Sequence, residues 1–215
     1  MMTVDRRIER MIDGPVGQIQ LIVDEPSAPA RGVVVISHPQ PLLGGSPQHI
    51  VPVTLARKLV AESWITVRPC FRGVGKTTGP HDEGVGEYAD SLAVVEYIKR
   101  EYPGVPVALV GFSFGAHVFA RAAIALQGSL RAVVLLGLPV GHVPGGRYYA
   151  PVAIPQDCLL LHGEQDEMAP LDNLLEWARP DRRPVVLYPG ANHFFKGCLA
   201  EVAEQVSRHL NLPQA

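Results

Sequence analysis

Short apolar runs, each bounded by Gly, Pro or polar residues, recur along the whole chain: Val33 to Ile36, Trp64 to Val67, Val107 to Val110, Ala132 to Leu136, Cys158 to Leu161 and Val185 to Leu187. Unbroken apolar stretches of this length read as strands buried on both faces, as in a parallel sheet. Between them apolar residues recur at helical spacing, as in Val51, Leu55 and Leu59, in Leu92, Val95 and Ile98, and in Leu199, Val202, Val206 and Leu210. Strands alternating with helices predict an α/β fold with a doubly wound, mostly parallel sheet. Ahead of these, Arg7 to Asp13 and Gln18 to Val23 alternate apolar with polar residues, which suggests an antiparallel pair at one edge and a sheet of about eight strands.

At 215 residues with 47% hydrophobic content, the chain fits one domain, residues 1–215, with enough apolar surface for one sizeable core. Ser46-Pro47 offers a helix N-cap with Pro at the first helical position, and Ala169-Pro170 repeats the device. Gly128 is placed to end the helix that starts after Ser113. The longest irregular stretches are Phe71 to Gly86 and Gly137 to Gln156, and long loops in a compact domain usually carry function. Lys plus Arg (19) nearly balance Asp plus Glu (21), so no net field favours nucleic acid, and a small neutral substrate fits better. Three widely spaced cysteines without a ligand pattern, a charged start with no apolar leader, and no long apolar run together suggest a cytoplasmic protein with no membrane insertion.

Gly111-Phe112-Ser113-Phe114-Gly115 fits G-x-S-x-G. The string is weak by itself, but it follows the strand Val107 to Val110 and precedes the Ala-rich segment Ala116 to Leu126, the strand-turn-helix setting that a nucleophile elbow requires. A neutral serine hydroxyl is a poor nucleophile, so an imidazole must take its proton and a carboxylate must hold that imidazole in the right tautomer. In the order nucleophile, acid, base, the acid follows a later strand and the histidine follows the last one. Asp166 and His193 stand in those places, with Glu164 and Glu167 as rival acids and His38, His81, His117 and His162 as rival histidines.

Acyl transfer also needs two backbone N–H donors aimed at the developing oxyanion. Phe114, directly after the serine, supplies one. The other is expected from Ser37 to Gly45, where Pro39 and Pro41 carry no N–H and leave Gln40 as the donor. His38 either reinforces that donor or only braces the loop. Gly-Lys-Thr at Gly75 to Thr77 invites a phosphate-loop reading, but the required earlier glycine is replaced by Cys70. The acids after it, Asp82, Glu83 and Glu87, suit a helix start better than a metal site. No cofactor and no metal are expected.

With these residues placed, the chain resembles the α/β-hydrolase superfamily, in its small bacterial branch related to dienelactone hydrolases. Ser37 to Gly45 is similar to that branch's His-Pro-His-Pro-x-x-Gly-Gly loop, with Gln40 in place of the second His. Phe71 to Asp90 is similar to its Phe-Arg-Gly-x-Gly and Gly-x-Gly-Glu pattern, and Gly111 to Ala116 carries the elbow. The resemblance implies a Ser-Asp-His triad without cofactor at Ser113, Asp166 and His193. Dienelactone hydrolases proper use a cysteine where Ser113 stands, so their substrate does not transfer. Many superfamily members insert a helical cap where this chain has Gly137 to Gln156, which reads as a loop too short for a lid, so no cap domain and a shallow, open pocket are expected. The expected activity is hydrolysis of small carboxylic esters through an acyl-enzyme. A serine peptidase or acyl-thioesterase on the same triad, or a non-catalytic binding protein that kept the fold, are the alternatives.

Overall fold

The computed structural model describes residues 6–212. The first half of the charged start, residues 1–5, lies outside the described residues. Among the described residues the main sheet has eight strands. β1 (Arg6–Gly14) and β2 (Gly17–Glu25) form the antiparallel hairpin expected at one edge. The others are β3 (Gly32–Ile36), β4 (Trp64–Pro69), β5 (Val107–Phe112) and β6 (Ala132–Leu136), then β9 (Leu159–Gly163) and β10 (Val185–Tyr188). Their spatial order is β1-β2-β4-β3-β5-β6-β9-β10, and every pairing from β4 to β10 is parallel.

The central strands are Val/Ile/Leu-rich because both faces are covered. Val33, Val35, Val107 and Leu109 face a cluster that includes Val94, Ile98 and Phe119, from α2 (Val85–Glu101) and α3 (Phe114–Ala125). Their neighbours Val34, Ile36, Ala108 and Val110 face Leu55, Leu59, Val202 and Val206, from α1 (Ile50–Ala61) and α5 (Leu199–Asn211). Alternate residues of one strand thus meet helices on opposite sides, and no position in it is left for a polar face. From β3 the chain steps to β4 on one side and then returns to β5 on the other. That reversal opens a crevice at the carboxyl ends of β3 and β5, where open α/β sheets place their ligands.

Several sequence expectations are corrected. Among the described residues β10 is the outermost strand and is not buried on both faces: its neighbouring Val186 and Leu187, which point to opposite faces, are 36% and 40% exposed. The first helix does not begin at Ser46-Pro47. Residues 47–48 form a turn, the Pro47 carbonyl is taken by the Arg68 guanidinium at 2.7 Å, and α1 starts at Ile50 with His49 Nδ1 accepting the Val51 N–H. Pro170 sits one position outside α4 (Leu171–Ala178). The stretch from Gly137 to Gln156 is not all loop. It contains a β-hairpin, β7 (Gly141–Val143) and β8 (Arg147–Tyr149), whose Val143 and Tyr149 pack into the main core. Among the described residues, no helix is long and apolar enough to cross a membrane.

Candidate active site

Ser113 stands between β5 and α3 at φ 57°, ψ −126°. A side chain bearing a Cβ is strained at positive φ, and the surroundings must impose it. Here the Ser113 N–H donates to the Leu136 carbonyl (2.9 Å), while its own carbonyl accepts from Ala116 (2.8 Å) and His117 (3.2 Å) at the helix start. The two glycines of the motif have steric reasons. A Cβ on Gly111 would lie 2.6 Å from the Ala116 Cα, and one on Gly115 would lie 2.2 Å from the Ser37 Oγ. The turn therefore closes only where both side chains are missing.

Asp166 leaves the end of β9 and His193 the end of β10, parallel neighbours in the sheet. The two loops are tied together by Gln165 N–H to the Ala191 carbonyl (2.9 Å) and by Gly163, whose Cβ would meet that carbonyl at 2.5 Å. His193 Nε2 then lies 2.8 Å from Ser113 Oγ, and His193 Nδ1 lies 2.7 Å from Asp166 Oδ2. All three side chains are at most 9% exposed. The second carboxylate oxygen of Asp166 accepts the N–H groups of Met168 (2.9 Å) and Ala169 (2.7 Å), which fixes the carboxylate plane. Glu164 is instead spent on the Gly190 N–H (2.8 Å), and Glu167 is exposed.

Three of the four rival histidines have other duties. His38 Nδ1 donates to the Pro39 carbonyl (2.8 Å) and its Nε2 accepts the Phe71 N–H (3.0 Å), so both ring nitrogens brace the loop and neither is left for an oxyanion. Burial pushes its pKa down to about 4, which keeps the ring neutral. His162 Nε2 donates to the Ala169 carbonyl (2.8 Å), and burial lowers its pKa as well. His117 packs edge-on against Tyr149, and burial takes its pKa to about 4.

The Gln40 N–H is the one amide donor of Pro39 to Pro41, and its side chain reaches both the Leu42 N–H (3.4 Å) and the Tyr149 hydroxyl (3.4 Å). Phe114 opens α3, where first-turn N–H groups have no helical acceptor. Among the described residues, neither backbone amide finds an acceptor. The glycine-rich loop after β4 forms one wall: Phe71 packs edge-on against Phe114 at 5.5 Å, and Arg72 holds Asp90 through two bonds of 2.8 and 2.9 Å. Glu87 accepts the N–H groups of Asp82 (3.0 Å) and Gly84 (2.9 Å) at the start of α2, so this acid serves the helix end as expected. Above Ser113 lies a cleft open to solvent, between Gln40, His49, Met168, Phe194 and the hairpin residues Arg147 and Tyr149. No local sequence pattern marks His49 or Arg147 as cleft residues, and both were missed.

Sheet order, elbow and the Ser-His-Asp chain of contacts define the class, an α/β fold with a serine, a histidine and an aspartate joined at the carboxyl edge of its sheet. A family model described as the alpha/beta hydrolase fold matches residues 42–145. The structure superposes on XC6422 from Xanthomonas campestris, described as an α/β serine hydrolase without lid, with a TM-score of 0.85 and 29% identity, covering 100% of this chain and 99% of that one. It superposes on an α/β serine hydrolase homologue from Coxiella burnetii with a TM-score of 0.80 and 34% identity over 94% of this chain and 97% of that one. The uncharacterized protein RP471 of Rickettsia prowazekii is 26% identical over 92% of this chain and 86% of its own length. The chain belongs to the α/β serine hydrolase family.

Proposed function

We propose that this protein hydrolyses small carboxylic esters, with Ser113 as nucleophile, His193 as base and Asp166 as its orienting acid. The observation that carries the reading is the unbroken path from Ser113 Oγ through the imidazole to the carboxylate, 2.8 Å and then 2.7 Å, beneath an open cleft. As Oγ attacks the carbonyl carbon, its proton passes to His193 Nε2. The Nδ1–H then donates to Asp166, which stabilises the imidazolium. The carbonyl oxygen takes up negative charge, and the Gln40 and Phe114 amides are free to receive it, the latter with the positive end of α3 behind it. The imidazolium returns its proton to the alkoxide, alcohol leaves, and water attacks the acyl-enzyme through the same base. No step calls for a cofactor.

The test is labelling with a fluorophosphonate probe, which should mark the wild type and not Ser113→Ala, followed by a p-nitrophenyl ester series. With only a hairpin over the site, short acyl chains should outpace long ones. Absence of labelling in the wild type favours a binding protein that kept the fold. Faster cleavage of matched thioester or anilide substrates would move the activity to those bonds.

A further inference from the structure

The cleft above Ser113 contains no Asp or Glu side chain, and its one permanently charged residue is Arg147. This guanidinium stands on the hairpin, half-buried, where its Nη2 donates to the Pro144 carbonyl at 3.0 Å. Among the described residues it forms no ion pair with a carboxylate, whereas Arg68 and Arg72 are each matched to an aspartate. A second hollow adjoins the first and shares Gln40, Arg147 and Tyr149 with it, but is lined by none of Ser113, Asp166 and His193. Its other walls include Phe114 and Glu83.

From these positions we propose that Arg147 selects esters whose acyl limb ends in a carboxylate, that is, monoesters of short dicarboxylic acids. The inference rests on the ester-hydrolase reading. The departing alkoxide must take its proton from His193 Nε2, so the alcohol limb leaves on the side of His193, where His49 and Phe194 stand. The acyl limb then runs the other way, past the Gln40 and Phe114 amides, towards Tyr149 and Arg147. An anion on that limb meets a cation with unfilled donors in a partly enclosed site, where a charge-assisted bond is stronger than at an open surface. A longer limb would carry its charge past Arg147 towards Glu83, which repels it, so the acid is short. The near-neutral charge of the whole chain suggested a neutral substrate, but it is the local field in the cleft that the substrate meets.

The experiment compares kcat/KM for monomethyl succinate and methyl butyrate, read by proton release, in wild type, Arg147→Gln and Arg147→Lys. A third substrate, acetoxyacetate, carries its carboxylate on the alcohol limb. In the wild type, monomethyl succinate should be preferred about tenfold, and added salt should narrow the margin. Arg147→Gln should bring the ratio near one, and Arg147→Lys should keep part of it. The proposal is overturned if the wild type shows no preference, if Arg147→Gln slows both methyl esters by one factor, if acetoxyacetate takes the preference instead, or if neither methyl ester turns over while Ser113 still labels. Loss of labelling in the wild type would instead bring down the ester-hydrolase reading beneath it.

Discussion

Asp166 divides its two oxygens between different partners, the Met168 and Ala169 amides on one and His193 on the other, so its replacement by asparagine has a forced outcome. The amide oxygen must stay on the two backbone N–H groups, which turns the NH2 towards His193 Nδ1. That nitrogen then has to accept, the ring proton moves to Nε2, and the atom facing Ser113 is no longer a base. Asp166→Asn should therefore lower kcat by about 10³ to 10⁴ with KM nearly unmoved. Steady-state kinetics on a short p-nitrophenyl ester read this directly, and a loss confined to KM would contradict it. Asp166 is set apart from Glu164 and Glu167 by its neighbours' backbone donors, which a list of acids in sequence does not reveal.

Strands and loops hold the site through pairings far apart in the chain. β2 and β4 lie antiparallel, and Asp24 on the first meets Arg68 on the second at 2.7 Å, with Arg7 of β1 also bonded to Asp24. Arg68 is fully buried and also bonds the Pro47 carbonyl, so it fixes the turn that leads into α1, beyond the loop bearing Gln40. Arg68→Met would remove the buried partner of a carboxylate that is 1% exposed, leaving it only the half-exposed Arg7 and leaving the Pro47 carbonyl without its donor, which costs about 3 kcal/mol. Urea unfolding should show a lower midpoint at unchanged slope. A variant as stable as the wild type would mean that Arg7 alone suffices for Asp24. The late start of α1 belongs to this network as well, since Ser46-Pro47 has the composition of a helix start but its carbonyl is already engaged.

Across the whole molecule, buried imidazoles link stability to pH. His38 and His117 bind protons only below about 4 when folded, against 6.5 when exposed. As pH falls from 6.5 to 4 the unfolded chain takes up protons that the folded chain refuses, so stability declines through that window, by roughly 1.4 kcal/mol per pH unit for each imidazole. Near pH 5 this amounts to about 2 kcal/mol per ring. Denaturant melts at pH 7 and pH 5 should show the loss, and His117→Phe should reduce its slope by about one proton. A stability that stays flat between these pH values would rule the linkage out.

The class of fold and the glycine-flanked turn that carries Ser113 were legible because their signals are local. An apolar run of strand length, a helical period and a strand-turn-helix glycine pattern each report burial or backbone geometry within a few residues. The loops after the last two strands were legible as places, since chain order ranks them. Tertiary structure decided which strand ended the sheet, where the first helix began, that Gly137 to Gln156 folds into a hairpin, and that His38 braces its loop. It also decided that Arg147 stands over the cleft. Those outcomes depend on partners many residues away, such as the Pro47 carbonyl meeting Arg68 or a strand lacking a neighbour, and no window along the chain contains both members of such a pair.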